Sequence, residues 1–408
     1  MKIAVIGGGA AGMMAAITAA ENGAEVIIYE RNDRVGKKIL ATGNGKCNFS
    51  NADMGPDYFY GNDKDRAWKV IEKFDEKKTV SFFENAGMLV KNRNGGLYPT
   101  SGQASTVLDI LRQKLAAKNI KVITEQLVKE VQKEKNSEKI AVITKGTKAV
   151  YDRVIIACGG AAAPKTGSDG NGYRLAKNLG HSLVDTVPAL VQLKCTEEYL
   201  KAISGVRTDA ALELLIDGKK AGCESGELQF TDYGISGIVV FQLSRTAAYA
   251  LKQKKKVTMY INCLPEFTDE TYKSFIKERK QRLKDADTVE TFFTGMLNKK
   301  LMLLFIKLAG LKTTDSYKKA SQEKIDKVFA LCRCLPMHVC DTNSFDNAQV
   351  TAGGIPLAEV SDNLESRKVK NVYFAGEILD VDGVCGGYNL QWAWTSGYVA
   401  GEAATKKQ

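Results

Sequence analysis

The fold of this chain is decided by its residues 2–12, KIAVIGGGAAG. The apolar run from Ile3 to Ile6 predicts a buried parallel strand. This strand ends in a Gly-x-Gly-x-x-Gly motif made by Gly7, Gly9 and Gly12. In such a motif the first glycine makes a tight turn, the second lets the backbone approach a pyrophosphate, and the third lets the next helix pack against the strand.

The residues after the glycines complete a dinucleotide-binding βαβ unit. An alanine-rich helix pattern runs from Ala10 to Glu21, and a second apolar strand from Glu25 to Tyr29 ends on Glu30. Unpaired N–H groups at the start of the helix would hold phosphates, and Glu30 would accept hydrogen bonds from the hydroxyl groups of a ribose. The alternative is a glycine-rich turn of the core that binds no ligand.

Length and composition indicate a soluble globular protein of two or three domains. The 408 residues are 44% hydrophobic and 26% charged, which are ordinary values. The net charge of +11 comes mostly from lysines that are dispersed over amphipathic segments. We therefore expect a solvated basic surface that favours anionic small ligands, and no nucleic-acid partner.

The cysteine content indicates reduced thiols. Nine cysteines are scattered over the chain without an export signal, so we expect free thiols and a cytoplasmic location. We expect no membrane helix, because glycines interrupt the apolar stretch near the N-terminus. Cys332, Cys334, His338 and Cys340 have metal-ligand chemistry, but their spacing fits no zinc or iron–sulfur pattern and their segment has the pattern of a strand. We expect no metal.

The region that follows Glu30 continues the nucleotide fold. Residues 31–48 are rich in Gly, Asn and Lys, which favours a loop that lines a cofactor over a plain surface loop. Helical periodicity covers residues 64–86 and 103–118, with a hairpin around 92–96 between them. An antiparallel meander is then predicted from four strand-like runs: Lys121–Thr124, Leu127–Lys133, Ile140–Thr144 and Lys148–Tyr151.

Two further glycine-rich segments follow buried strands. The strand from Arg153 to Ala157 is followed by the pair Gly159-Gly160, which predicts a second close approach of backbone to the same cofactor. Near the C-terminus, a strand ends in Gly376-Glu377, ahead of a final helix from about Leu390 to Ala404. The N-terminus of this helix would face an electron-rich group, such as the pyrimidine side of a flavin.

The middle of the chain differs from both ends. Alternating residues from Ala189 to Phe230 predict a small β domain, Ile235 to Leu251 a helix, and residues 268–331 a mostly helical region. The predicted class is therefore α/β, with a Rossmann-like domain interrupted by an insertion. The predicted boundaries are 1–188 and 346–408 for the two parts of the Rossmann-like domain, and 189–345 for an inserted substrate-side β domain with a helical cap.

The chain resembles the HI0933-like flavoproteins, which have a two-dinucleotide-binding-type fold and include aminoacetone oxidase-like enzymes. The resemblance is carried by Gly7–Gly12, Gly36–Asn48, Leu97–Ser101, Ala157–Gly160, Phe230–Gly237, Val350–Gly354 and Phe374–Gln391. It implies FAD as the cofactor. Glu30 would then hold the adenosine ribose, Val128 the adenine through its backbone, and Glu377 the ribityl chain. Asn389 and Leu390 would offer backbone N–H groups to the flavin ring.

The expected FAD contacts come from all of these glycine-rich segments and the loops beside them. They are Gly7, Gly9, Ala10, Ala11, Gly12, Glu30, Arg31, Lys37, Lys38, Thr42, Gly43, Asn44, Val128, Gly159, Gly160, Gly376, Glu377, Asn389 and Leu390.

The resemblance implies one of two reactions. One branch of the family is similar to gut-anaerobe reductases of 3-oxo-Δ4 and Δ6 bile-acid intermediates, in which reduced flavin delivers hydride to a conjugated double bond. The first expectation is an FAD-dependent enone reductase of a bulky bile-acid or steroid ring. NAD(P)H would be a transient reductant, because the sequence holds no second nucleotide motif. The alternative is an amine oxidase of a small amine such as aminoacetone, with oxygen as acceptor. A non-enzymatic FAD- or RNA-binding module is a third hypothesis, suggested only by the positive charge.

Four side chains are candidate catalytic hydrogen-bond or proton donors: Tyr98, Tyr233, His338 and Tyr388. Each has a structural alternative, because tyrosine hydroxyls are often satisfied in a core and His338 lies in an alternating strand pattern. His181 follows Gly180 at a helix end and is expected to be a C-terminal cap. Since no catalytic triad, carboxylate pair or P-loop is visible, the flavin would carry the redox step.

Overall fold

The chain forms two compact units in its computed structural model, which describes residues 1–284 and 286–406. The first unit consists of Met1–Val187 and Phe345–Gln408, and the second of Pro188–Ser344. Each unit has an apolar core of its own.

The strands and helices of both units are numbered here in chain order, each kind separately. The strands are β1 Lys2–Ile6, β2 Glu25–Tyr29, β3 Ser50–Asn51, β4 Phe59–Tyr60, β5 Val90–Arg93, β6 Gly96–Pro99, β7 Lys121–Ile123, β8 Glu130–Lys133, β9 Ile140–Ile143, β10 Lys148–Tyr151, β11 Arg153–Ile156, β12 Val184–Ala189, β13 Leu193–Cys195, β14 Arg207–Ile216, β15 Lys219–Phe230, β16 Gly234–Ser236, β17 Val257–Asn262, β18 Leu335–Thr342, β19 Val350–Gly354, β20 Val372–Phe374 and β21 Asp382–Gly383. The α-helices are α1 Ala10–Glu21, α2 Lys37–Ala41, α3 Lys64–Ile71, α4 Glu76–Glu84, α5 Ala104–Ala117, α6 Asn171–Asn178, α7 Leu200–Ile203, α8 Ile238–Lys252, α9 Asp269–Gln281, α10 Val289–Phe293, α11 Lys299–Leu308, α12 Gln322–Arg333 and α13 Tyr388–Ala403.

A five-stranded parallel sheet lies at the centre of the first unit. Its order is β20-β11-β1-β2-β7, and every neighbouring pair is parallel. The crossover helix α1 is buried from Ala11 to Ala19, as expected for a helix that covers a parallel sheet. The predicted α/β class is confirmed.

Two boundaries predicted in this unit are wrong in detail. The run at Lys121 is not part of the meander, because β7 pairs with β2 at the edge of the parallel sheet; a three-residue run carries too little periodicity to show which sheet it joins. Only β8, β9 and β10 form the antiparallel meander. The helix expected over 64–86 is broken, since the Asp75 carboxylate accepts a hydrogen bond from the Lys78 N–H (2.9 Å) and starts α4.

The second unit is built on a closed barrel of six strands in the order β13-β16-β15-β14-β17-β18. Neighbouring strands are antiparallel, which agrees with the predicted small β domain. The helix expected from Ile235 begins only at Ile238, because Gly234–Ser236 pairs as β16. Cys332 belongs to helix α12 rather than to a strand, since the apolar period of that helix continues through Val328 and Phe329 to this residue.

All nine cysteines lie in the described residues, and all are free thiols, as predicted. Within residues 1–284 and 286–406, no cluster of three or more His, Cys, Asp or Glu side chains is arranged to hold a metal ion. No helix of that part combines the length and the apolar character needed to cross a bilayer.

The last helix packs directly on the first. A Cβ atom added to Gly397 would lie 2.4 Å from the Ala11 carbonyl oxygen, and one added to Gly401 would lie 2.4 Å from the Ala15 carbonyl oxygen. Both contacts advance by four residues in the same direction, so α1 and α13 run parallel with their backbones in close contact. Only glycine on α13 permits this approach.

A buried amide fixes the other side of α13. Gln391 is fully buried, and its Oε1 accepts a hydrogen bond from the Ser50 hydroxyl at 2.7 Å. Its Nε2 donates to the Phe74 carbonyl and to the Thr79 hydroxyl, both at 3.0 Å. Since a buried amide with all its partners in place specifies one arrangement, Gln391 sets the position of the helix start.

Replacing Gly397 with alanine tests the helix contact. Alanine in a helix interior normally stabilises a protein by about 1 kcal/mol relative to glycine. Here we expect the opposite sign, a loss of about 1–3 kcal/mol, because the new methyl group overlaps backbone of α1. Urea unfolding of G397A and wild-type protein measures the difference, and a stabilised variant would contradict the packing.

Candidate functional site

The turn between β1 and α1 has the geometry predicted for a pyrophosphate loop. Gly7 has φ +104°, and a Cβ there would lie 2.5 Å from the Ala157 carbonyl oxygen. A Cβ on Gly12 would lie 1.9 Å from the Gly7 carbonyl oxygen, which holds helix against strand. A Cβ on Gly9 would meet no atom within 4 Å. The first and third glycines are therefore required by the protein itself, whereas the second faces open space.

The start of α1 offers unpaired donors beside that space. Its N-cap is Gly9, no side chain caps the helix, and no acidic residue lies in its first turn. The N–H groups of Ala10, Ala11 and Gly12 are thus the first-turn donors that an α-helix leaves without internal partners. An anion fits this end of the helix.

Glu30 lies at the end of β2 and is 6% exposed. Its carboxylate accepts backbone hydrogen bonds from Gly8 (2.8 Å) and Asn32 (2.8 Å). These bonds fix the carboxylate beside the glycine turn and leave lone pairs for hydroxyl donors. Val128 is buried, and its carbonyl accepts from Asn171 Nδ2 (3.4 Å).

Glu377 joins three of the expected contact segments. One carboxylate oxygen pairs with the Lys38 ammonium at 2.7 Å, and the other accepts the Thr351 N–H at 2.6 Å. A Cβ added to Gly159 would lie 4.0 Å from Glu377 Oε2. Gly376 has φ +80°, and a Cβ there would lie 2.8 Å from the Ala11 Cβ, so this segment abuts the start of α1.

The remaining basic residues of the predicted set are engaged in local pairs. Arg31 pairs with Asp169, and Lys37 pairs with Asp33 at 2.5 Å. The loop that follows bends sharply: Gly43 and Asn44 both have left-handed backbone, with φ of 55° and 53°. Its start is fixed because the Thr42 hydroxyl donates to the Ile39 carbonyl at 2.6 Å.

The N-terminus of α13 points in the same direction as that of α1. Because Gly397 is nine residues into α13 and Ala11 is one residue into α1, the start of α13 projects about 12 Å beyond that of α1, at 1.5 Å per residue. Like α1, helix α13 begins at a glycine, has no side-chain cap and has no acidic first turn. Asn389 and Leu390 lie in that first turn, so their N–H groups lack helical partners.

Asn48 and Tyr98 lie next to this second helix start. A Cβ added to Gly387, the N-cap of α13, would lie 3.0 Å from Asn48 Oδ1. That oxygen is buried and has no hydrogen-bond partner in the described residues. A Cβ on Gly96 would lie 2.9 Å from Asn48 Nδ2 and 3.0 Å from the Tyr98 ring, so this ring lies beside the Asn48 side chain. Burial first, and then the nearby Cys385, raise the pKa of the Tyr98 hydroxyl, which therefore keeps its proton at neutral pH.

The four candidate donors differ in how their polar atoms are used. The Tyr388 hydroxyl donates to the Asp53 carbonyl at 2.9 Å, and its ring stacks on Tyr58, which favours the structural alternative. The Tyr98 hydroxyl has no hydrogen-bond partner among residues 1–284 and 286–406. It contacts the Arg93 guanidinium only through its ring, with 5.7 Å between the guanidinium carbon and the ring centroid.

The other two candidates belong to the second unit. Tyr233 is 37% exposed, and its hydroxyl accepts from Asn343 Nδ2 at 3.0 Å. The exposed His338 ring contacts Glu197 through Nδ1 at 2.8 Å. His181, in the first unit, caps α6 through its backbone N–H, which donates to the Ala176 carbonyl at 3.1 Å.

Several supporting residues were not singled out from the sequence. The Thr351 hydroxyl accepts from the Ala161 and Ala162 N–H groups (2.8 and 3.0 Å), which shapes the loop after Gly160. Asn48 stood only at the end of a loop expected to line the cofactor. Thr351 binds backbone 190 positions earlier in the chain, and the Asn48 oxygen lies beside Gly387, so no local pattern marks either residue.

The observed residues fit an FAD molecule. Two uncapped helix starts about 12 Å apart along parallel axes suit a diphosphate and an electron-rich ring on one extended ligand. Open space in front of Gly9 and the unpartnered Asn48 oxygen lie at these two ends. Glu30 and Glu377 supply acceptors for ribose and ribityl hydroxyls.

Comparison with known proteins agrees with this arrangement. The family profile described as HI0933-like protein Rossmann domain matches residues 1–403. The chain belongs to the HI0933-like family. The resemblance, the Rossmann-like fold class and the assignment as an FAD-dependent oxidoreductase are confirmed; the individual FAD contacts and the four donors remain predictions.

Named relatives of this HI0933-like protein span almost its full length. It is 41% identical to a 3-dehydro-bile acid delta(4,6)-reductase of Clostridium scindens, over 100% of this chain and 99% of the relative. It is 27% identical to a ribosomal RNA dihydrouridine synthase of Haemophilus influenzae, over 97% and 96%. A flavocytochrome c3 fumarate reductase in its open conformation has a similar fold, with TM-score 0.52 and 16% identity over 99% of this chain and 78% of that one.

Alanine at Gly9 separates ligand binding from folding. Because a Cβ at Gly9 meets no protein atom and its φ of −81° is ordinary for alanine, we expect G9A to fold with unchanged stability. The methyl group would occupy the approach of a pyrophosphate, so FAD affinity should fall at least about tenfold, or about 1.4 kcal/mol. Titration of the apoprotein with FAD and thermal unfolding without FAD measure the two quantities.

The matched control is G12A. Its Cβ overlaps the Gly7 carbonyl oxygen, so this variant should lose stability as well as FAD binding. If G9A bound FAD as tightly as the wild type, the ligand would not approach the backbone at this turn.

Proposed function

We propose that this protein is an FAD-dependent reductase of a C=C bond conjugated to the 3-oxo group of a bulky ring substrate of the bile-acid or steroid type. The observation that carries the proposal is the 41% identity, over essentially the full length of both chains, to a reductase named for 3-dehydro-bile acids. NAD(P)H is the proposed transient reductant, since the chain has one nucleotide-binding glycine motif, residues 7–12.

The chemistry requires three things of the protein. A flavin bound at the site would supply hydride to the β-carbon of the enone. The chain must hold the ring, stabilise negative charge that builds on the carbonyl oxygen, and deliver a proton to the α-carbon. The uncapped start of α13 would oppose negative charge at the flavin ring through its N–H groups.

We assign the proton delivery to Tyr98. Its hydroxyl is without a hydrogen-bond partner in the described residues, and burial and Cys385 raise its pKa. Its ring lies near the Asn48 side chain, which is next to the N-cap of α13. A proton given to the α-carbon would be replaced from solvent. Tyr388 is a weaker candidate for this role, because its hydroxyl already donates to the Asp53 carbonyl.

A second candidate reaction is reduction of a uridine base in RNA. Relatives from Haemophilus influenzae and Escherichia coli, 27% and 26% identical over nearly the full chain, are named ribosomal RNA dihydrouridine synthases. Dihydrouridine is uridine whose C5=C6 bond is reduced, and that bond is conjugated to a carbonyl. The two named activities therefore share one bond type, and the net charge of +11 suits the polyanionic substrate.

An anaerobic flavin assay tests the first proposal. We expect NADH to bleach the flavin absorbance of the purified holoprotein, and a 3-oxo-Δ4 steroid to restore it with formation of the saturated ketone. The matched control is the same steroid without the Δ4 bond, which should not reoxidise the flavin. Reoxidation by uridine-containing RNA alone would favour the second candidate. Peroxide release from aminoacetone in air, without enone turnover, would favour an amine oxidase.

Phenylalanine at Tyr98 tests the proton donor. We expect kcat for enone reduction to fall roughly 10²–10³-fold, because the hydroxyl is lost from proton transfer, while the flavin spectrum and FAD affinity stay unchanged. With its raised pKa, wild-type Tyr98 remains protonated up to its ordinary pKa of about 10, so kcat should not decline between pH 7 and 9 on its account. Tyr388→Phe is the control and should lose stability of about 1 kcal/mol. A Y98F enzyme as fast as wild type would refute the assignment.

A further inference from the structure

Lysines occur along the whole chain, and the helical region of the second unit, residues 268–333, has an excess of basic over acidic residues. This region has fifteen Lys and Arg residues against nine Asp and Glu residues, a net charge of +6, whereas the whole 408-residue chain has +11. About half of the net charge is thus carried by about a sixth of the chain. This local excess of positive charge indicates a basic surface in this region.

Helix α9 presents three of these lysines on one face. Lys273, Lys277 and Lys280 occupy positions i, i+4 and i+7 and are exposed, so they follow a line about 10 Å long on one side of the helix. Together with Ile276 and Gln281 they line an open groove of about 450 Å³. We call Lys273, Lys277 and Lys280 the α9 lysine row.

The row is not used to hold the protein together. Lys273 and Lys277 make no ion pair within the described residues, and Lys280 contacts only the neutral Gln322 side chain, at 3.4 Å. The neighbouring arginines behave differently: Arg279 donates to backbone carbonyls of the segment Phe292–Thr294, and Arg333 pairs with Asp269. The ammonium groups of the row are therefore available to an external anion.

We infer that the α9 lysine row binds the phosphate backbone of RNA. Ammonium groups on successive helical turns attract a chain of phosphates without reading its sequence. A membrane surface is the other polyanion of this kind, but a helix that lies on a bilayer also needs exposed apolar anchors. None of the large hydrophobic side chains exposed in the described residues belongs to α9. The inference rests on the second candidate function above and specifies where its substrate would be held.

The experiment compares two triple variants with wild type. K273A/K277A/K280A removes the row, and K69A/K77A/K118A removes three exposed lysines of the first unit as a matched control. Binding of a stem–loop fragment of ribosomal RNA is measured by fluorescence anisotropy between 50 and 200 mM KCl. For the row variant we expect affinity to fall at least about tenfold and the slope of log Kobs against log salt to fall by about 2–3, one for each lost phosphate contact. The control variant should match wild type.

Three results would overturn the inference. These are absence of RNA binding by wild type, equal salt slopes in both variants, or a row variant that loses binding to anionic phospholipid vesicles but not to RNA. Alanine is the best helix former, and far-ultraviolet circular dichroism verifies that α9 persists. Reoxidation of the reduced flavin by the same RNA is measured separately for wild-type and row-variant holoprotein, so failure of the row to bind RNA is distinguished from failure of the RNA-reduction candidate on which the inference rests.

Discussion

The close contact between the first and last helices is the constraint on which the site depends. Gly397 and Gly401 let the backbone of α13 touch that of α1, and Gln391 fixes the same helix from its other side. Together they hold two uncapped helix starts on parallel axes at a set offset. A rigid spacing of this kind suits a ligand with a phosphate group at one end and a charge-accepting ring at the other, since neither helix start alone would select for both.

Features formed by residues close together in the sequence could be predicted, whereas features that depend on contacts between distant segments could not. The unit from Gly7 to Glu30 was predictable because strand, turn, helix and acid follow one another within one local motif. The edge strand β7 was misassigned, since its place is decided by pairing with β2 rather than by its own residues. Likewise, the roles proposed for Thr351 and for the Asn48 oxygen depend on segments that are distant in sequence and close only in the folded chain, so no rule of sequence spacing predicts them.

The same limit applies to the candidate proton donors, because a side chain's type is known from the sequence but its hydrogen-bond partners are not. Tyr98 and Tyr388 carry the same functional group, and both were equally good candidates for a proton donor on the sequence alone. In the structure the Tyr388 hydroxyl donates a hydrogen bond to the Asp53 carbonyl, while the Tyr98 hydroxyl has no hydrogen-bond partner in the described residues. The proposed reduction of a double bond conjugated to a carbonyl would need a group of the second kind. The surroundings of the two hydroxyls therefore distinguish candidates that residue type alone does not.

The pairing of α1 with α13 also has a consequence for biosynthesis. A ribosome releases the βαβ unit of residues 2–29 long before the helix Tyr388–Ala403. The sheet strand β20 is likewise synthesised long after β11, although it lies beside β11. A nascent chain therefore contains the proposed diphosphate-binding turn long before it contains the proposed ring-binding helix start, and complete capture of the cofactor would require both segments to have been synthesised.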